Sequence, residues 1–150
     1  MNISDKFPDL LGLDQHGKEI RLSDYPGKRF IIYFYPKDST SGCTLEALNF
    51  RDNYQTWLDM GYQVIGVSKD SEKSHCRFIE KNGLPFPLVA DIDLSLAKLA
   101  GVEKDGKVRR TTFVVNFDGT VTDKVVRVET KTASEQLFAL LDNRYSVNPA

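Results

Sequence analysis

Apolar residues along this chain fall into two kinds of run. Phe30-Ile31-Ile32-Tyr33-Phe34-Tyr35 and Tyr62-Gln63-Val64-Ile65-Gly66-Val67 are apolar almost throughout, the pattern of strands covered on both faces of a parallel sheet. Between them Phe50, Tyr54, Trp57 and Leu58 recur at helical spacing. They predict one helix that is capped by Thr40 or Ser41 after Pro36 has ended the strand, and that stops at Gly61. Asp70 or Ser71 opens a second helix ending near Gly83, Phe86-Pro87-Leu88-Val89 reads as short and extended, and Asp91-Ile92-Asp93 caps a small helix over 94–100 closed by Gly101. The runs 111–117 and 121–128 flank Asp118-Gly119, a hairpin signal, so the sheet is mixed rather than wholly parallel. Thr132-Ala133-Ser134-Glu135 has the form of a capping box for a last helix with Leu137, Leu140 and Leu141 on one face. Around Gly17-Lys18-Glu19-Ile20-Arg21-Leu22 the pattern predicts an N-terminal hairpin, and residues 146–150 read as a frayed tail.

Two parallel strands joined by a helix, then a hairpin and a terminal helix, define an α/β chain with a thioredoxin-like order of elements. A central mixed β-sheet is flanked by helices and extended by the N-terminal β-hairpin. No repeat, low-complexity tract or linker interrupts it, and 150 residues suit one domain spanning 1–150 that buries enough surface to fold without a disulfide or a metal. A net charge of -1, from 20 basic and 21 acidic residues, excludes the basic patch of a nucleic-acid binder. The N-terminus lacks the apolar core of a signal peptide and no run has the length of a membrane span, so a soluble, cytoplasmic protein is expected. Cys43 and Cys76 are too few for a secreted disulfide scaffold.

Cys43 falls in the first turn of the predicted helix, directly after a buried strand. Helix N-termini offer free N–H groups and the positive end of the dipole, and with a cationic neighbour they bring a thiol's pKa to roughly 3.5–7.5. If the electrophile is a peroxide, the O–O bond must be oriented and charge on the leaving oxygen stabilised. Thr40, three residues earlier, can donate and accept, and Pro36 can shield the pocket without a competing N–H. Arg109 and Arg110, at the mouth of a later strand, both qualify as the cation, and Glu46 could orient that arginine.

Pro36-x-x-x-Thr40-x-x-Cys43 matches the peroxiredoxin signature, and 33–44 with Phe50-Arg51-Asp52 resembles the bacterioferritin comigratory protein or peroxiredoxin Q branch. Gly66-Val67-Ser68-Lys69-Asp70-Ser71, Ser74-His75, Leu84-Pro85-Phe86-Pro87-Leu88 and Arg110-Thr111-Thr112-Phe113 extend the likeness over nearly the whole chain. The resemblance implies a thioredoxin-like fold and a thiol peroxidase. Its substrates would be hydrogen peroxide and organic hydroperoxides, its reductant thioredoxin-type or glutathione-type, its state a monomer. Cys43 becomes the peroxidatic cysteine, with Thr40, Pro36 and Arg110 completing the site and Arg109 as the fallback. Electrons would reside in sulfur, so no metal, flavin or haem is implied. Many members carry a resolving cysteine five residues after the peroxidatic one. Here that position is Leu48, so the local disulfide cannot form. Some relatives place the resolving cysteine in the helix after the second strand, where Cys76 lies, but Cys76 shares a helical face with Ile79 and a plain core role stands beside the resolving one.

Competing chemistries meet specific obstacles. His75 beside Cys76 has only His16 as a further imidazole, without paired ligand spacing, which excludes a structural zinc. Asn49 stands where a cysteine phosphatase has its arginine, and no second cysteine completes a Cys-x-x-Cys oxidoreductase. The non-enzymatic alternative is a thioredoxin-fold interaction module or thiol-dependent holdase.

Overall fold

The computed structural model describes residues 1–146, so the predicted tail lies outside the described residues apart from Ser146. In chain order the elements are β1 (Leu10–Leu13), β2 (Glu19–Arg21), β3 (Arg29–Phe34), α1 (Ser41–Asp52), α2 (Tyr54–Asp59), β4 (Tyr62–Ser68) and α3 (Glu72–Asn82). There follow β5 (Leu88–Ala90), α4 (Ser95–Ala100), β6 (Glu103–Lys104), β7 (Lys107–Val108), β8 (Thr111–Val115), β9 (Val121–Val125) and α5 (Ala133–Ser146). A five-stranded sheet has the order β5-β4-β3-β8-β9, with β3 parallel to β4, β4 parallel to β5, and β8 antiparallel to both β3 and β9. The predicted N-terminal hairpin is β1–β2.

The apolar run of β3 is buried from Phe30 to Phe34 because it feeds two cores. Phe30, Ile32 and Phe34 join Phe7, Leu22, Val67, Leu96 and Phe113 on one face. Ile31, Tyr33 and Tyr35 meet Cys43, Ala47, Phe50, Trp57, Phe78 and Leu137 on the other, the alternation that a strand's period of two requires. Gly66 pairs with Tyr33 across the parallel ladder, and a Cβ there would lie 2.9 Å from the Tyr33 ring and 2.7 Å from Leu88. A larger residue would push the tyrosine off the β4 backbone.

Several elements differ from the pattern-based reading. The helix after β3 is broken: Asn53 (φ −104°, ψ 7°) separates α1 from α2. Its side chain donates to Asn49 O, 2.9 Å away and one turn back, a side-chain bond of the kind that bends helices. The capping box at α5 is not made. Thr132 Oγ1 donates to Glu129, and the cap comes from across the fold, where Asn49 Oδ1 accepts from Ser134 N at 2.7 Å. Asn49 Nδ2 meanwhile donates to Lys131 O and Glu135, so one α1 side chain anchors the start of α5. Leu137 and Leu141 are buried, while Leu140 is exposed. Leu94 is left-handed (φ 62°) and precedes α4 rather than belonging to it. Asp91 caps that helix through Leu96 N and Ala97 N. Strands β8 and β9 are shorter than the runs 111–117 and 121–128. The β6–β7 hairpin between Gly101 and Arg110 is an addition. No helix among the described residues is long and apolar enough to cross a membrane.

Candidate active site

Strand β3 delivers the chain to a turn at 35–40, where Tyr35 N donates to Val67 O and fixes the exit. Pro36 follows, half-buried. Thr40 occupies the N-cap position of α1 (φ −79°, ψ 155°) but makes no side-chain cap. Its hydroxyl donates instead to Lys37 O at 2.9 Å. The first intrahelical bond is Thr44 N to Thr40 O, so the N–H groups of Ser41, Gly42 and Cys43 are not used within α1. The hydroxyl proton of Thr40 is committed to a carbonyl, which leaves its lone pairs as acceptors for a ligand's O–H.

Cys43 is third in α1 and 1% exposed. Arg110, immediately before β8, reaches it across the sheet end: Nη2 lies 3.4 Å from Cys43 Sγ, and Nη1 donates to Glu46 Oε1 at 2.6 Å. Gly42 makes this approach possible, since a Cβ at that position would stand 3.3 Å from Arg110 Nη2. Arg110 retains 21% side-chain exposure and Glu46 none. The guanidinium thus faces solvent on one side and grips thiol and carboxylate on the other, a bidentate arrangement that suits its planar fork. Burial pushes the Glu46 carboxyl up to about 7, although Arg110 pulls the other way. Burial works against the Arg110 charge, but Glu46 and Cys43 outweigh it and its pKa rises. Glu46 Oε2 and the Tyr33 hydroxyl have no hydrogen-bond partner among the described residues. Burial, reinforced by Glu46, drives the Tyr33 phenol far above its ordinary value and keeps it neutral.

The structure brings Cys43 and Arg110 together, at the helix end that carries Thr40. Arg109 is exposed, and its N–H donates to Val102 O. Cys76 is elsewhere. It is half-buried on α3, belongs to neither core, and donates to Gln15 O in the β1–β2 turn at 3.0 Å. Gln15 in turn accepts from Leu88 N, which places this thiol at the β5 edge. Two strand spacings, about 10 Å, separate β5 from β3, and Arg110 enters β8 on the far side of β3. Both cysteines are free thiols.

Two residues near the turn carry more than their sequence context indicated. Asp38 is buried and its carboxylate accepts from Tyr35 OH (2.6 Å), Ser74 Oγ (2.8 Å) and His75 Nδ1 (2.7 Å). His75, with no exposed surface, is thereby tied to the turn rather than to any metal-like cluster. The proximity of Ser74-His75 to the second strand was the available signal; its partner lies 37 residues away.

A sequence profile described as the AhpC/TSA family matches residues 3–124. The chain is 38% identical over 151 residues to Peroxiredoxin Bcp of Bacillus subtilis, covering 95% of this chain and 96% of that protein. It is 41% identical over 111 residues to the chloroplastic Peroxiredoxin Q of Sedum lineare, covering 72% and 60%. Among solved structures, the bacterioferritin comigratory protein of Xanthomonas campestris, studied for alkyl peroxide reduction, superposes with a TM-score of 0.81 at 34% identity, covering 88% of this chain and 89% of that one.

Proposed function

The chain belongs to the AhpC/TSA family, as a thiol peroxidase of the peroxiredoxin Q branch, and from that premise we propose that Cys43 is the sulfur that meets the peroxide. The observation that carries this assignment is the Arg110 fork, which touches Cys43 Sγ and Glu46 together at the open end of α1. Thiolate attacks the distal oxygen of ROOH, an S–O bond forms as the O–O bond breaks, and the departing RO⁻ takes a proton to leave as alcohol or water. Arg110 and the free N–H groups of the first turn stabilise the oxygen that gains charge. The Thr40 lone pairs accept from the hydroperoxide O–H, and Pro36 closes the pocket beside them.

The Cys43 sulfenic acid then condenses with a second thiol, releasing water and forming a disulfide that an external dithiol reduces. Cys76 fills the second role if the first turn of α1 unwinds; otherwise an outside thiol does. The Cα separation allowed to a disulfide is at most about 7 Å, which the folded arrangement of β3 and β5 does not favour. A thioredoxin-type reductant, hydrogen peroxide or an organic hydroperoxide as substrate, a monomeric state and a cytoplasmic setting complete the reading.

Intact mass after one equivalent of hydrogen peroxide, without reductant, tests it in wild type, Cys76→Ser and Cys43→Ser. Loss of two hydrogens in wild type with one oxygen gained by Cys76→Ser establishes a Cys43–Cys76 cycle, and one oxygen gained by both assigns resolution to an outside thiol. Cys43→Ser is expected to stay unchanged; a Cys43→Ser protein that still consumes peroxide overturns the assignment.

A further inference from the structure

We propose that His75 is a positioning residue for peroxide reduction, acting through Asp38 on the turn that carries Pro36 and Thr40. The inference deepens the peroxidase reading above and rests on it.

The turn between β3 and α1 has little of its own to hold it. Thr40 Oγ1 bonds within it to Lys37 O, and Ser39 is held left-handed at φ 65°, a conformation that costs a residue with a Cβ about 1–2 kcal/mol. Such a conformation persists where the surroundings over-determine it. Asp38 provides that surrounding. Its N–H donates to Asp70 Oδ2 (2.8 Å), which also accepts from Ser68 Oγ at the end of β4. Its carboxylate takes Tyr35 OH on one oxygen, and Ser74 Oγ and His75 Nδ1 on the other.

Asp70 ties this cluster to the end of β4, and His75 ties its carboxylate to β5. The His75 Nε2 faces Val89 O at 3.0 Å; a carbonyl and a carboxylate both accept, so with Asp38 at Nδ1 both ring nitrogens donate and the ring has one orientation. A continuous path therefore runs from β5 through the imidazole and the Asp38 carboxylate to the turn that presents Thr40. The imidazole touches neither Cys43 nor Arg110 in any bond described, so its effect on the reaction passes through placement of Pro36 and Thr40. Displacing an aligning group by about 1 Å can cost on the order of a hundredfold in rate.

The test compares two reactions of the reduced protein by stopped flow: oxidation of Cys43 by hydrogen peroxide, and its alkylation by chloroacetamide, which needs no alignment by Thr40. His75→Gln is expected to slow oxidation by about 10- to 100-fold while changing alkylation by less than about threefold. His75→Asn, whose amide lies nearer the Nδ1 position and retains a donor to Asp38, should lose less than His75→Gln. Equal losses in both reactions, or no loss in either, overturn the proposal. Should the His75 variants not fold, Tyr35→Phe removes only the hydroxyl on Asp38 Oδ1, and the same selective loss, smaller in size, is expected. Amide exchange at Asp38 separates this proposal from the reading beneath it. Faster exchange in His75→Gln is expected whatever the wild type does with peroxide. Unchanged exchange beside normal peroxide turnover sinks the His75 role alone, and a wild type inert to peroxide sinks the peroxidase assignment.

Discussion

Asp38 and Glu46 stand five residues before and three residues after Cys43, both buried carboxylates, yet they are satisfied very differently. Asp38 uses both oxygens, taking three donors, Tyr35 just past β3 and Ser74 and His75 of α3. Glu46 uses one oxygen, on Arg110, and leaves Oε2 without a partner among the described residues. A buried carboxylate with both oxygens answered is an anchor. One left half-answered carries a standing desolvation cost, and it is the one that shares its cation with the Cys43 sulfur. Rigidity is concentrated on the side of the turn, adjustable charge on the side of the thiol.

Removing Arg110 breaks the comparison most strongly. Arg110→Ala takes the donor from the departing oxygen as well as from Glu46, and a loss of about 10²- to 10³-fold in the rate with peroxide is expected by stopped flow. A loss no larger than that of His75→Gln would mean that both carboxylates serve only to place the turn.

Glu46→Gln sharpens the contrast through pH. The folded protein holds the Glu46 proton up to about 7, whereas an ordinary glutamate releases it near 4.5. The folded form therefore binds more protons than the unfolded one between these values, and the stability this group contributes is fully present below pH 4.5 and lost as pH rises through 7. The difference amounts to on the order of 3 kcal/mol. Urea unfolding at pH 4.5 and pH 8 should show wild type losing more stability than Glu46→Gln across that interval; parallel losses would show that Glu46 is ionised throughout.

The smallest effect is expected at Gly42. Gly42→Ala improves helix propensity by up to about 1 kcal/mol, but the new methyl meets Arg110 Nη2 at 3.3 Å. A protein that is equally or more stable by thermal melting, yet slower with peroxide by about three- to tenfold, is the anticipated result. An unchanged rate would show that the guanidinium shifts aside without leaving Cys43.

The buried strands were legible because β3 and β4 are apolar on both faces, and the thiol turn because strand, Pro36, Thr40 and Cys43 are local to one another. What escaped was set by distant partners. The pairing of Glu46 with an arginine was legible, but its complete burial, where a helical glutamate is ordinarily solvated, was set by Arg110, 64 residues on. Asn49 caps α5 from 85 residues away, which no pattern around Thr132 could announce. The β6–β7 hairpin is a different case. Asp105 and Gly106 both have positive φ and carry the same Asp-Gly signal that identified the later hairpin. Their charged, two-residue strands gave no apolar alternation to support it.

The two buried carboxylates also set the length of a tether. Glu46 lies three residues beyond Cys43, so a first turn released from helical form could carry the sulfur by as much as about 10 Å while the anchor stays in place. The longer arm, from Asp38, permits more. A sulfur oxidised in its pocket can therefore leave Arg110 while α1 beyond Glu46, and its Asn49 link to α5, keep their places.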